Sequence, residues 1–172
     1  MANTQSMVTT FMSKLMTGTH NFGTGVIRAA TTADSFYAAL LLSSSTFNAS
    51  SSSYTGTIGS STMSGEVSGT GYTAGGVAIA GSPAWNAPTG TNSTATAGTA
   101  FTTPTASLVY TAVTLTTAFN AIMIYNATQG TGGSYPAVSI HTFGDQTVTA
   151  GTFTLTMPSN STSTGLLRLA TV

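Results

Sequence analysis

The chain has 172 residues, of which 41% are hydrophobic and 3% are charged, whereas an ordinary soluble domain carries roughly 25% charged residues. Three cations balance three acids, and these six residues are Lys14, Arg28, Arg168, Asp34, Glu66 and Asp145. Binding to nucleic acid requires several clustered cations that displace counterions from phosphates. So few dispersed cations exclude nucleic acid as a partner.

Serine and threonine supply most of the polar residues and make up about a third of the chain. Disordered chains combine low hydrophobicity with high charge, but this chain has a mean hydropathy of +0.25 and contains eight Phe and six Tyr. We therefore expect one folded domain over residues 1–172, because this length suits one core better than two. Its neutral, hydroxyl-rich surface leaves little charge repulsion between copies and favours assembly.

Cysteine is absent, which excludes disulfides, thiol catalysis and cysteine-based zinc sites. The first residues, MANTQSMVTTF, lack the basic start and the apolar run of a signal peptide. The longest apolar block, Ala38–Leu42, is far too short to cross a bilayer. The sequence therefore predicts neither secretion nor membrane insertion.

Residues 4–17 carry the one clear helical pattern, with a potential cap at Thr4 and a stop at Gly18. A single Lys14 gives this segment little attraction to anionic lipid, which disfavours a membrane-surface role. We expect a short amphipathic helix that packs on the core or on another subunit. The apolar residues spaced three and four apart are Met7, Val8, Phe11, Met12, Leu15 and Met16.

Residues 26–172 are typical of β-structure. Ser35–Leu42 is a compact apolar run bounded by Asp34 and three serines, as expected of a buried strand. The stretches 43–65 and 81–104 are rich in small polar residues with few apolar anchors. They are predicted to be long surface loops, which in a compact domain usually bind a ligand or pack against a neighbour.

The second half of the chain alternates more regularly between apolar and polar residues. Strands are predicted at 108–117, 119–125, 137–143, 147–149, 152–157 and 166–170, with a turn at Ala150–Gly151. Seven or so short strands without alternating helices predict an all-β fold. We expect an antiparallel β-sandwich, jelly-roll-like, with a short N-terminal helix and long Ser/Thr/Gly-rich loops.

The glycine-rich segment EVSGTGYTAGG, residues 66–76, resembles a phosphate-binding loop only superficially. Its third glycine is misplaced for a dinucleotide fingerprint, and no lysine follows as a P-loop would require. Glycines permit a positive φ, so this segment is predicted to be a tight bend leading into a strand at Val77–Ala80. Glu66 is expected to meet an arginine or a backbone amide rather than a substrate.

Candidate catalytic groups are scarce. A triad requires a histidine with an orienting carboxylate, and His141 precedes Asp145 by four residues across a predicted turn. A strand histidine beside a turn aspartate explains the same pattern without catalysis. Paired carboxylates for glycoside hydrolysis and clustered carboxylates for calcium are not suggested by the three isolated acids. We predict no enzyme activity, cofactor or metal.

Several segments in the same order resemble a family of small virion proteins of tailed bacteriophages. The segments are MANTQSM, LMTGTHNF, EVSGTGYTAGG, NAIMIYN and FGDQTVTAGTFTLTMP with a final LLRLA, and together they span about two thirds of the chain. Members of this family are described as head-decoration, cement or fibre components. The resemblance implies a structural role in the virion, although the stretches 43–65 and 81–104 are longer here, so contacts there need not follow any relative.

The expected function is that of a capsid decoration or cement protein on the outer surface of the phage head. Its expected partners are the major capsid protein and further copies of itself, as a homotrimer, held by many weak contacts on a symmetric lattice. The candidate interface residues are Met7, Phe11, Leu15, Phe47, Tyr54, Glu66, Tyr72, Trp85 and Phe101. Trp85, in the segment SPAWNAP, suits either an interface anchor or a side chain folded over its own core.

Two other functions stay open from the sequence. A tail or head fibre module could recognise host surface glycans, with Trp85 and Asn86, or Tyr125 and Asn126, as an aromatic platform with a neighbouring amide. A hydrolase would require His141 and Asp145 to act together.

Overall fold

The structure is a computed structural model that describes residues 2–20, 22, 33–81, 83–91 and 98–170. Its centre is one long antiparallel hairpin made of residues 108–126 and 135–155, whose apolar and β-branched residues suit a pleated, half-buried surface. One helix and nine strands are described: β1 (Ser6–Met7), α1 (Thr9–Met16), β2 (Phe36–Leu42), β3 (Ser53–Tyr54), β4 (Val77–Ala78), β5 (Thr89–Thr91), β6 (Thr99–Thr102), β7 (Leu108–Asn126), β8 (Tyr135–Leu155) and β9 (Leu167–Ala170).

The strands form two antiparallel sheets. The larger sheet has the order β1-β8-β7-β2-β4, with β3 pairing at the start of β8, and the smaller sheet has the order β5-β6-β9. This arrangement confirms the predicted all-β class and is consistent with a β-sandwich. The strand β2 is apolar in both side-chain phases because it is buried between β7 and β4.

The N-terminal helix is shorter than the predicted 4–17. It begins at Thr9, follows Val8 without a side-chain cap, and ends at Met16. Ser6 and Met7 form β1 instead, since they pair with Ser139 and Ile140 of β8. Pairing with a neighbouring strand satisfies these backbone groups and overrides the local helical pattern.

The central strands are longer than predicted. The stretches 108–117 and 119–125 belong to one continuous strand, and 137–143, 147–149 and 152–155 belong to its partner. The expected turn at Ala150–Gly151 is a bulge: Ala150 has φ 48°, and the pairing register shifts nearby. A bulge absorbs an extra residue and bends the strand without ending it.

The two stretches predicted as loops also contain strands. Residues 43–65 are mostly turns and irregular segments but include β3, and residues 81–104 include β5 and β6 of the smaller sheet. The last strand, β9, lies where 166–170 was predicted. Strands of two to four residues are too short to show the apolar alternation that identifies a strand in sequence, so these elements were missed.

One apolar core lies between the hairpin, β2 and α1. At its α1 end, Phe22, Phe36 and Trp85 form an aromatic cluster with ring-centroid distances of 4.6–5.5 Å. Such contacts contribute about 0.5–1.5 kcal/mol for each pair beyond the burial of apolar area. None of the described helices is long and apolar enough to cross a membrane.

Candidate functional site

The most distinctive polar group of the described structure is the buried carboxylate of Glu66. The residue is 5% exposed and lies in the segment that connects β3 to β4. It forms an isolated bridge with Leu41, and the next amide, of Val67, donates to the carbonyl of Leu40. The backbone of β2 therefore holds Glu66 against the centre of the larger sheet.

Four donors surround this carboxylate. Its Oε1 accepts hydrogen bonds from the Tyr72 hydroxyl at 2.7 Å and from the Gly75 amide at 2.7 Å. Its Oε2 accepts from the Tyr54 hydroxyl at 2.8 Å and from the Met63 amide at 2.9 Å. Both oxygens are thus fully used inside the protein, and hydrogen bonds to a charged acceptor are about twice as strong as neutral ones.

The tyrosines around Glu66 are fixed in turn by their own contacts. The Tyr72 hydroxyl accepts from the Leu40 amide at 3.0 Å, and the Tyr54 ring stacks on Tyr125 with centroids 4.4 Å apart. Burial, together with hydrogen bonding to Glu66 and its charge, raises the pKa of Tyr54. Burial and the same charge raise the pKa of Tyr72 well above its usual value. Both hydroxyls therefore remain protonated donors at neutral pH.

The glycine-rich segment provides the backbone geometry that this network requires. Gly75 has φ +88°, its amide points at Glu66, and its carbonyl accepts from the Tyr125 hydroxyl at 2.9 Å. Gly76, with φ +78°, lies against the carbonyl of Ala38 so closely that a side chain would overlap it. The predicted bend is confirmed, and of the two partners predicted for Glu66, an arginine or a backbone amide, the structure shows the backbone amide.

The role of Glu66 is to hold the fold together through hydrogen bonds. A carboxylate with four protein donors and 5% exposure offers no lone pair to a metal or substrate. Sequence reasoning missed its two tyrosine partners, because Tyr54 and Tyr72 lie 12 and 6 residues away and only the folding of the connecting turns brings their hydroxyls to Glu66. The available signal was a lone acid between two tyrosines in a segment otherwise free of charge.

A second buried polar cluster joins Asp34, Asn126 and His20. The Asn126 amide donates to Asp34 Oδ2 at 2.7 Å and lies 3.0 Å from His20 Nδ1. Gln129 donates to Asp34 Oδ1 at 3.1 Å. All three members of the cluster are less than 9% exposed, so they tie the end of β7 to the segments before β2.

The structure does not bring His141 and Asp145 together as partners. His141 Nε2 lies 2.9 Å from the Ser139 hydroxyl, whereas Asp145 accepts from the Ser43 hydroxyl at 2.9 Å. Ser139 is 1% exposed, so its hydroxyl is not presented for attack on a substrate. The hydrolase hypothesis requires a hydrogen bond between His141 and Asp145, and the hydrogen bonds of these two side chains go to other residues. No group of three or more metal-ligating residues occurs in the described ranges.

Burial lowers the pKa of His141 from 6.5 to about 4. Since the folded value lies below the unfolded one, unfolded chains bind more protons between these values, and stability should fall as pH drops from 6.5 towards 4. We expect a loss of about 2 kcal/mol, after allowance for partial exposure of the ring. Urea titrations at several pH values should show this loss in the wild type and a smaller one in His141→Gln. If stability fell equally with pH in both proteins, the loss could not be attributed to His141.

The nine candidate interface residues differ in how deeply they are buried in their own subunit. Five are no more than 9% exposed and have almost no surface for another chain: Phe11, Tyr54, Glu66, Trp85 and Phe101. The other four are half-buried: Met7, Leu15, Phe47 and Tyr72. Of the two readings for Trp85, the structure favours the side chain folded over its own core, beside Phe22 and Phe36.

Burial also bears on the two aromatic platforms for glycans. Trp85 is 1% exposed, and the side-chain amide of its neighbour Asn86 donates to the carbonyl of Thr103. Tyr125 and Asn126 are both 0% exposed. Neither pair can stack on a sugar at the surface in this conformation.

Comparison with known proteins gives no family for this chain. No family model matches it, and neither the curated proteins nor the solved structures contain a significant match.

Proposed function

We propose that this protein is a structural component of a tailed-phage virion that decorates the outside of the head and stabilises the major capsid protein lattice. The resemblance of its ordered sequence segments to phage virion proteins supports the proposal. So does a surface almost without charge, since a shell protein has to adhere to neighbours in many copies.

The observation that carries the proposal is the free edge of the outer half of β8. One edge of residues 143–155 pairs with β7, and no described strand pairs with the other edge. Its exposed side chains include Thr147, Thr149, Thr152 and Thr154. Unpaired strand edges accept a strand from another chain through backbone hydrogen bonds.

This edge lacks most of the features that block pairing between chains. It contains no lysine or proline, and its one acid, Asp145, is already bonded to Ser43. The bulge at Ala150 limits the length of a regular ladder to the segments on either side. Several short, weak contacts of this kind fit a protein that is repeated many times on a symmetric lattice.

Capsids that lack the protein provide the direct test. Purified protein should bind to them and raise the temperature at which they disrupt, and Thr149→Lys with Thr154→Lys should weaken this binding at least about tenfold by adding charge at the edge. Thr131→Lys, an exposed change in the turn between β7 and β8, is the matched control and should bind normally. Capsids of equal stability with and without the protein would overturn the proposal.

A further inference from the structure

We propose that the cleft between β1 and β9 binds a small anionic carbohydrate, a sugar acid or a sugar phosphate. The cleft has a volume of about 410 Å³ and lies where the edge of the larger sheet meets the edge of the smaller one. Ligand-binding pockets are usually about 300–1,000 Å³. The lining includes none of the residues 143–155 of β8, and the site does not depend on the function proposed above.

Arg168 supplies the positive charge. Its Nη1 donates to the carbonyls of Thr162 and Ser163, at 3.3 Å and 2.6 Å, which fixes the guanidinium at the wall of the cleft. A guanidinium has five donors in a planar fork that matches a carboxylate or a phosphate. One nitrogen thus anchors the side chain, and the fork retains donors for a ligand.

No side-chain carboxylate neutralises this charge within the described structure. Each acidic side chain accepts hydrogen bonds at another place in the structure. Glu66 accepts from the tyrosine network, Asp34 accepts from Asn126 and Gln129, and Asp145 accepts from Ser43. None of the three lines the cleft. Since the chain contains only three acidic side chains, Arg168 is the one charged side chain among the lining residues, and it attracts anions.

The rest of the lining suits a sugar more than a bare anion. Gln5, Ser6, Thr99 and Thr162 bring amide and hydroxyl groups, and His141 adds an imidazole held by Ser139. The apolar residues of the lining are Met7, Ile140, Leu166, Leu167 and Ala170. A sugar ring presents hydroxyls at its rim and C–H groups on its faces, and this mixture of polar and apolar surface matches both.

The imidazole of His141 gives an internal probe of occupancy. Ser139 and His141 are two residues apart on β8, so their side chains lie on the same face of the strand. An anion bound beside the ring would favour its protonated form and shift its NMR signals. A ligand elsewhere on the surface would leave those signals unchanged.

The test is a titration of the full chain with glucuronate, glucose 6-phosphate, inorganic phosphate and uncharged glucose, followed by the His141 ring signals and by calorimetry. We expect the two anionic sugars to bind at least about tenfold more tightly than glucose or phosphate. Arg168→Gln should weaken their binding at least about tenfold, and Arg168→Lys should weaken it less because the charge remains. Lys14→Gln removes the other described cation, which does not line the cleft, and should bind as the wild type does.

Arg168 is exposed, so its variants are expected to fold, and their unfolding curves check this directly. Absence of binding by both anionic sugars, or equal binding by folded Arg168→Gln, would overturn the proposal. Binding of inorganic phosphate as tight as that of the sugars would overturn the carbohydrate class. Capsid attachment is measured on separate variants, so failure of either proposal can be recognised without the other.

Discussion

Glu66→Gln should lower the free energy of unfolding by about 3 kcal/mol. The change replaces one carboxylate oxygen with an amide NH₂ group, which then faces two donors. A tyrosine hydroxyl can rotate and accept from that group, but the amide of Gly75 or Met63 cannot reverse and loses its acceptor. A buried N–H without a partner costs about 1–3 kcal/mol, and the remaining bonds lose their charge-assisted strength.

This loss should appear as a fall in the thermal midpoint of roughly 6–12 °C, given roughly 2–4 °C for each kcal/mol in a chain of this size. Asp145→Asn is the matched control, because it removes the same charge from an exposed side chain that accepts one hydrogen bond, from the Ser43 hydroxyl. It should change stability by no more than about 0.5 kcal/mol. Equal stability of the two variants would show that the buried carboxylate does not hold the fold together.

The tyrosine partners allow the network to be divided. Tyr72→Phe removes a donor to Glu66 and also the acceptor of the Leu40 amide in β2, whereas Tyr54→Phe removes the donor on the other oxygen. Both hydroxyls donate to the same carboxylate, so their contributions are coupled. The loss in free energy of unfolding of the double variant should therefore differ from the sum of the losses of Tyr72→Phe and Tyr54→Phe. A strictly additive result would indicate that the two hydroxyls act independently of each other.

The fold class was predictable from sequence because apolar, β-branched and aromatic runs identify strands without tertiary information. The buried strand Phe36–Leu42 follows directly from its continuous apolar run. The great length of β7 and β8 was not predictable, since Ala150–Gly151 has the composition of a turn and becomes a bulge only when β7 lies beside it. Pairing between distant residues decides such cases.

The candidate sites show the same limit. The sequence indicated a bend at residues 66–76 and either an arginine or a backbone amide as the partner of Glu66, and the bend and the amide are local features. It could not indicate that Tyr54 lies on the other side of Glu66, or that Arg168 and His141 line one cleft. Trp85 was equally ambiguous, because burial in a loop depends on the aromatic rings of other segments that fold over it.

Gly76→Ala should destabilise the protein by about 4 kcal/mol. An alanine at φ +78° carries a conformational cost of about 1–2 kcal/mol. At this position its Cβ would also overlap the carbonyl oxygen of Ala38 and lie 2.8 Å from the Cα of Ala39. Both atoms belong to the backbone of β2, which is held between β7 and β4 and cannot move aside cheaply.

Gly59→Ala separates the two contributions. Gly59 has the same φ of +78°, but a Cβ there meets no atom within 4 Å. Gly59→Ala should therefore lower the free energy of unfolding only by the cost of the left-handed backbone conformation, about 1 kcal/mol. Chemical denaturation of both variants gives the difference, which we expect to be about 3 kcal/mol and which measures how tightly the glycine-rich segment is packed on β2. Equal losses would mean that this segment does not lie against β2, and that the geometry holding Gly75 at Glu66 has another origin.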